Sequence, residues 1–230
     1  MKELLYSPIF GVTITVLFLF FMQKVSAFIK NPILNPFILT LIALIGFLKI
    51  TNIPLDAYEE GGKILTFFLG PVTVALAVPL YHQRKSLKKH MVPILVGITI
   101  GSLAGLLTAL GLGKILGLSP EMLASVAPKS TTTAIAVELS QTFKGNPSLT
   151  VAFVIVAGVT GNVFGESFLK LLKIKHPTSK GIAIGTASHA MGTNKALEMG
   201  AEEGAMSSLA IGLAGIITTL LIPFVLPLFL

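Results

Sequence analysis

One stretch of the chain places a proline and a lysine before four consecutive hydroxyl residues: Pro128, Lys129, Ser130, Thr131, Thr132 and Thr133. Proline lacks an N–H and disfavours helix in the residue before it, so we expect one helix to end near Ala127 and another to begin after Pro128. The free N–H groups of the second helix and the Lys129 ammonium would attract an anion such as a carboxylate. The alternative is that the hydroxyls cap the helix while Lys129 extends to a polar interface.

A second polar stretch, residues 185–200, carries hydroxyl, imidazole, amide and ammonium groups on Ser188, His189, Thr193, Asn194 and Lys195. Glycines at both ends and in the middle of the stretch allow the backbone conformations of a broken helix. His titrates near neutral pH, so His189 is either a carrier of a coupled proton or a neutral, hydrogen-bonded structural residue. The sequence leaves both interpretations open.

Three further polar residues lie in or near apolar segments. Glu138 and Glu166 are candidates for binding a proton or Na⁺, because a carboxylate inside a membrane is expected to be functional. Their positions near the ends of their segments favour solvated sites instead. Asn162 lies deeper, between closely spaced glycines, and we expect it to link two packed helices or to face a cavity.

Composition fixes the class of protein. The chain is 53% hydrophobic and 12% charged, with a mean hydropathy of +0.87, as in integral membrane proteins. The net charge of +7 resides largely in loops beside apolar segments, which indicates membrane topology and not nucleic-acid binding. The absence of Cys removes disulfides and thiolate chemistry, and the four His lack metal-ligand spacing. No nucleophile, base and orienting group fall into a recognisable order, so we expect no enzyme.

The apolar segments predict an all-α polytopic membrane protein forming one domain over residues 1–230. A spanning helix needs about 20 apolar residues. By that measure the chain has about six full transmembrane helices and two broken or re-entrant helices. The full spans are predicted at residues 8–28, 33–50, 64–81, 92–112, 149–172 and 206–228, and the broken ones at 122–143 and 182–199.

Lysines predict the orientation. The loops after the first, third and fifth spans are rich in Lys and Arg, which places them in the cytoplasm, whereas the loop with Asp56, Glu59 and Glu60 falls outside. Residues 122–143 must then enter and leave on the outer side; the alternative is that they cross and one Lys-rich loop breaks the rule. Weak similarity between residues 100–108 and 211–218 is compatible with an inverted repeat.

Several of these stretches together resemble the LrgB/CidB family of bacterial membrane proteins, often described as antiholin-like. The resemblance covers nearly the whole chain. It is carried by the segment from Leu69 through Leu80, by Pro128-Lys129-Ser130-Thr131-Thr132, by Ser188-His189-Ala190-Met191-Gly192-Thr193, and by the segment from Ala196 through Ala210.

The resemblance implies two functions. The first is secondary transport of small monocarboxylates of the pyruvate, glycolate or glycerate class across the cell inner (cytoplasmic) membrane. The alternative is a non-transporting, antiholin-like regulator of murein hydrolase activity and lysis. The resemblance also implies a small holin-like partner of the LrgA/CidA type. We further expect a homo-oligomer in the lipid bilayer and no cofactor.

The polar stretches suit such a substrate, because Lys129 and Lys195 would compensate one carboxylate while the hydroxyl and amide groups bind a hydroxyl or keto oxygen. Family members often carry Arg at position 195, and Lys lacks the two-pronged guanidinium. The expected substrate-binding residues are Pro128, Lys129, Ser130, Thr131, Thr132, Ser188, His189, Thr193, Asn194 and Lys195.

Overall fold

A computed structural model describes residues 5–29, 36–68, 71, 81, 88 and 91–230. The described residues form helices and their connections, which confirms the all-α prediction. In chain order the helices are α1 (Pro8–Ile29), α2 (Pro36–Ile50), α3 (Leu55–Phe67), α4 (Met91–Ile115), α5 (Pro120–Val126), α6 (Thr133–Thr142), α7 (Pro147–Leu171), α8 (Pro177–Met199) and α9 (Ala201–Val225). A 3₁₀ turn, Leu226–Leu228, extends α9.

Four helices in the described part of the chain are long and apolar enough to cross a membrane: α1, α4, α7, and α9 with its 3₁₀ extension. Helix α2 is apolar but has 15 residues, fewer than a full span requires. Parts of two predicted spans lie outside the described residues: most of 64–81, with most of the motif that begins at Leu69, and the start of 33–50. Lys30, Arg84, Lys85 and Lys89 also lie outside them.

One local prediction is wrong. The acidic residues Asp56, Glu59 and Glu60 do not form a loop, because α3 begins at Leu55 and contains all three. Helix α3 is amphipathic, so its charged face is accommodated without breaking the helix.

The chain divides into two compact units, residues 1–75 and 76–230. In the first unit α1 packs against α2 and α3. Gly11 and Gly61 lie at the contact between α1 and α3, and the hydroxyls of Thr15 and Tyr58 form a hydrogen bond of 2.8 Å. Both cavities described below belong to the second unit.

Helices α5 and α6 form a hairpin whose two ends lie together. The side chain of Asn146, which follows α6, donates a hydrogen bond to Glu121 at the start of α5 (3.5 Å), and its backbone N–H donates to Ser125 Oγ (2.7 Å). The turn at residues 127–132 is the tip of this first hairpin. The predicted break near Pro128 is therefore present.

Helix α8 is also a hairpin, made of two helical halves. Its backbone leaves the helical region at Ser188 and His189. After that tip the chain turns back, so that Gly192 packs against Ser188 and Ile184. At the open end, the hydroxyl of Thr178 donates to the carboxylate of Glu202. The segment begins at Pro177 and not at residue 182, since Pro suits the first turn of a helix.

The two hairpins approach the middle of α7 from its opposite ends. The first opens beside Asn146, where α7 begins, and the second ends at Met199, which packs with Leu169 near the end of α7. Gly158 and Gly161, in the middle of α7, lie against the tip of the second hairpin.

Helices α4 and α9 run in the same direction. The N-terminal half of α4 packs on the N-terminal half of α9 through Ile98 and Met206, and the C-terminal halves meet through Leu110 and Ile222. The sequence similarity between these two helices therefore does not relate an inverted pair. Contacts of α8 with both neighbours show that α7 and α9 are the antiparallel pair, and each follows a hairpin.

Candidate functional site

Two of the hydroxyls at the tip of the first hairpin stabilise the turn itself. Thr131 Oγ1 donates to the carbonyl of Pro128 (2.8 Å), and Thr132 caps α6 by accepting from the N–H of Ile135 (3.5 Å). Pro128 and Thr131 are buried, as a packed turn requires. These interactions are those that the capping interpretation expects.

Lys129 and Ser130 play a different part in the same turn. Lys129 is half-buried and its Nζ donates to Ser130 Oγ at 3.1 Å. Lys129 forms no ion pair with any described residue. A half-buried ammonium without a carboxylate partner is costly, and an anion would relieve that cost. Lys129 and Ser130 are therefore the members of this stretch available for binding.

The tip of the second hairpin is a strained turn held by side-chain contacts. His189 has φ of 45° and ψ of −146°, a conformation that costs a non-Gly residue about 1–3 kcal/mol. Its Nε2 lies 2.8 Å from the carbonyl oxygen of Val154 and must be the donor, because a carbonyl only accepts. Ser188 Oγ donates to the carbonyl of Ile184 at 2.9 Å. The His189 ring is thus engaged in holding the turn.

The remaining predicted residues of the second stretch diverge. Thr193 is buried and its Oγ1 donates to the carbonyl of His189 (3.0 Å) and lies 2.7 Å from Ser207 Oγ. Asn194 is exposed. These positions tie the tip to α9 and leave Asn194 on the outer surface of the hairpin.

Lys195 belongs to a cluster of charged residues. Its Nζ lies 3.0 Å from Glu166 and 3.2 Å from Glu198, and Glu166 also pairs with Lys170 at 2.7 Å. The Lys195 ammonium is therefore paired with carboxylates of the protein itself. Asn162 donates from Nδ2 to the carbonyl of Met191 (2.9 Å), the helix-linking role that its position indicated.

A polar cavity of about 440 Å³ lies between the first hairpin, α4, α8 and α9. Its polar lining consists of Ser102, Lys129, Ser130, Ser179, Thr186 and Thr218. Ser102 and Thr186 are 7% and 6% exposed, and neither hydroxyl has a hydrogen-bond partner among the described residues. Helical Ser and Thr commonly donate to a carbonyl of their own helix, so two unpartnered hydroxyls in one cavity are unusual.

An apolar cavity of about 580 Å³ lies on the other side of the first half of α8, against α7. Phe153, Phe164 and Phe168 line it, and Lys129 and Ser188 do so as well. The structure therefore brings together Lys129 and Ser188, one residue from each predicted stretch. Lys129 lines both cavities.

Ser102 and Thr186 are not among the substrate-binding residues predicted from the sequence. A signal was present, because Ser102 lies among the small residues of α4 and Thr186 falls within the second polar stretch. The two helices approach closely at this level: a Cβ added at Gly101 would lie 3.2 Å from Thr186 Cγ2. A hydroxyl residue next to a glycine on a packed helix face is the sequence pattern that would have indicated Ser102 and Thr186.

The sequence profile of the LrgB-like family matches residues 15–228. Two similar relatives are the proteins named antiholin-like protein LrgB from Bacillus cereus (strain B4264) and Bacillus anthracis (strain A0248). Each is 36% identical to this chain over 226 residues, which cover 96% of both sequences. No solved structure shows a significant match. With the family profile and the relatives both spanning nearly its whole length, the chain belongs to the LrgB-like family.

Proposed function

We propose that this chain is a secondary transporter of small organic monocarboxylates in the cytoplasmic membrane, and that the polar cavity is its substrate site. The observation that carries the proposal is the pair of unpartnered hydroxyls, Ser102 and Thr186, in a cavity that also holds Lys129. A buried hydroxyl without a partner costs about 1–3 kcal/mol. A 2-hydroxy or 2-oxo acid supplies one carboxylate and one further oxygen, which matches an ammonium beside two hydroxyls.

The helix after the tip adds to the attraction for anions. Helix α6 begins at Thr133, directly after the turn that carries Lys129 and Ser130. The N-terminus of a helix bears about half a positive charge, which favours a carboxylate nearby. The site therefore combines an ammonium and a helix N-terminus from one turn of the chain with hydroxyls from α4 and α8.

In the membrane, the two hairpins act as re-entrant segments that enter from opposite sides. Their tips are then at mid-membrane depth, where polar backbone is tolerated if it lines a cavity. Helices α7 and α9, each preceded by a hairpin, form an inverted pair. Rocking or sliding of these elements would expose the tips alternately to the two sides.

Uptake into vesicles tests the proposal. The purified chain is reconstituted with and without a small holin-like partner, and labelled pyruvate, glycolate and glycerate are offered separately. We expect saturable uptake that Lys129→Met abolishes, because the carboxylate loses its counter-charge in a desolvated site. Lys175→Met removes an exposed lysine of the same chain and is the matched control. Absence of uptake of all three acids under both conditions would contradict the proposal.

A second function is favoured by the names of the relatives, which are antiholin-like proteins. We propose as the alternative that this chain regulates lysis and murein hydrolase activity by assembling with a small holin-like membrane protein. This function needs helix surfaces and not the polar cavity. Lys129→Met would then leave lysis unchanged in cells. In vesicles the variant would show no loss of uptake, because the wild-type chain would not transport the acids either.

A further inference from the structure

The apolar cavity differs from the proposed substrate site in what it can bind. Its lining combines aromatic and aliphatic side chains with Lys129 as its cation, and no acidic side chain of the described residues lines it. The hydroxyls of Ser188 and Thr160 are the other polar groups of the lining. A ligand matched to this surface has an apolar body and one negative charge.

We infer that this cavity binds monocarboxylates with an apolar tail, the carboxylate at Lys129 and the tail between α7 and α8. Lys129 comes from the tip of the first hairpin, and Ser188, at the tip of the second, lies against Gly161 in the middle of α7. From Gly161 to Leu172 the helix rises about 16 Å, enough for a tail of several carbons. Phe164, Phe168 and Leu172 line that length.

The depth of the Lys129 charge in the membrane determines which kind of ligand can bind in the apolar cavity. A phospholipid keeps its charged headgroup at the membrane surface, so only its neutral tails reach the level of Lys129. A medium-chain carboxylate brings its charge along with its tail. Because Lys129 also lines the polar cavity, such a ligand competes with a small carboxylate there for one ammonium. The inference shares this residue with the proposed function but does not require transport.

A fluorescence experiment tests the binding directly. The chain has no tryptophan, so Phe164→Trp creates a single reporter in the cavity at a half-exposed position. In vesicles of neutral phosphatidylcholine we expect ω-bromohexanoate to quench this reporter saturably. Adding Lys129→Met should weaken the apparent affinity by about tenfold or more, whereas Lys129→Arg should retain it. Phe224→Trp, on α9 and outside both cavities, is the control reporter.

The outcomes are distinct. Quenching that is equal with and without Lys129, or equal with uncharged ω-bromohexanol, means that lipid-like partitioning fills the cavity and overturns the inference. Retained binding in Lys129→Arg shows that loss in Lys129→Met comes from charge and not from misfolding. Displacement by pyruvate supports a shared ammonium. Saturable quenching in a preparation that takes up no pyruvate, glycolate or glycerate would support this inference while contradicting the transport proposal.

Discussion

Gly161 on α7 lies directly against Ser188 at the tip of the second hairpin, and a Cβ at this position would overlap the Ser188 side chain. Gly158, one turn earlier, likewise leaves space for the His189 ring, which a Cβ at this position would overlap. The two non-helical residues at which α8 reverses, Ser188 and His189, are neither Pro nor Gly. The neighbouring helix provides the space that lets Ser188 and His189 turn the chain.

We predict that Gly161→Ala destabilises the second hairpin. The added methyl forces Ser188 or α7 to move, and overpacking of this kind costs about 1–3 kcal/mol. Thermal unfolding of the purified protein should show a lower midpoint. Gly212→Ala on α9 is the control, because a Cβ there meets nothing within 4 Å. Equal midpoints for the two variants would mean that the contact at Gly161 is loose.

The hydrogen bond between Thr178 and Glu202 closes the open end of the same hairpin. We predict that Thr178→Val exposes the first half of α8 to local opening, since a hydrogen bond to a charged group contributes about 1.5–3 kcal/mol. Hydrogen–deuterium exchange of residues 177–187 should become faster. Thr219→Val is the matched control, because that exposed hydroxyl donates to Gly215 of its own helix. Unchanged protection in Thr178→Val would mean that the hairpin is stabilised instead by the close contacts of Gly181 and Gly185 with α9.

The re-entrant arrangement predicts which positions share a side of the membrane. The chain has no Cys, so single-Cys variants report accessibility without background. Glu121→Cys and Lys144→Cys, at the two ends of the first hairpin, should both react with an impermeant reagent from outside intact cells. Lys175→Cys and Ala201→Cys, at the ends of the second, should react only after the cells are opened. Members of one pair reacting on opposite sides would show that the hairpin crosses.

The sequence predicted the positions of the helix breaks more successfully than the path of the chain after each break. Pro128 and the hydroxyls around it identified the first tip, because proline and capping residues act through local geometry. The reversal at Ser188 and His189 carries no local signal of that kind. It depends on Gly158 and Gly161, about 30 residues earlier in the chain, so only the packed structure reveals it.

The same difference between local sequence signals and tertiary packing applies to the candidate site. Lys129 and Ser188 were expected to converge, and in the structure both residues line the same cavity. Lys195 was expected beside them, but the return of the chain after the tip carries it towards Glu166, with which it pairs. Ser102 lies in a helix of ordinary appearance, where a hydroxyl is expected to bond its own backbone. Its lack of a partner is a property of the cavity and not of the local sequence.

The unpartnered hydroxyls permit a test that separates binding from structure. Ser102→Ala and Thr186→Val remove groups that contribute no hydrogen bond within the described protein, so stability should stay equal or rise by up to about 1–3 kcal/mol. Uptake of a 2-hydroxy acid should fall, because its hydroxyl loses its partners. Ser207→Ala, which removes a buried hydroxyl bonded to Thr193, should instead lower the thermal midpoint. If the cavity variants melt earlier than wild type and transport normally, Ser102 and Thr186 are structural residues and the polar cavity is not the substrate site.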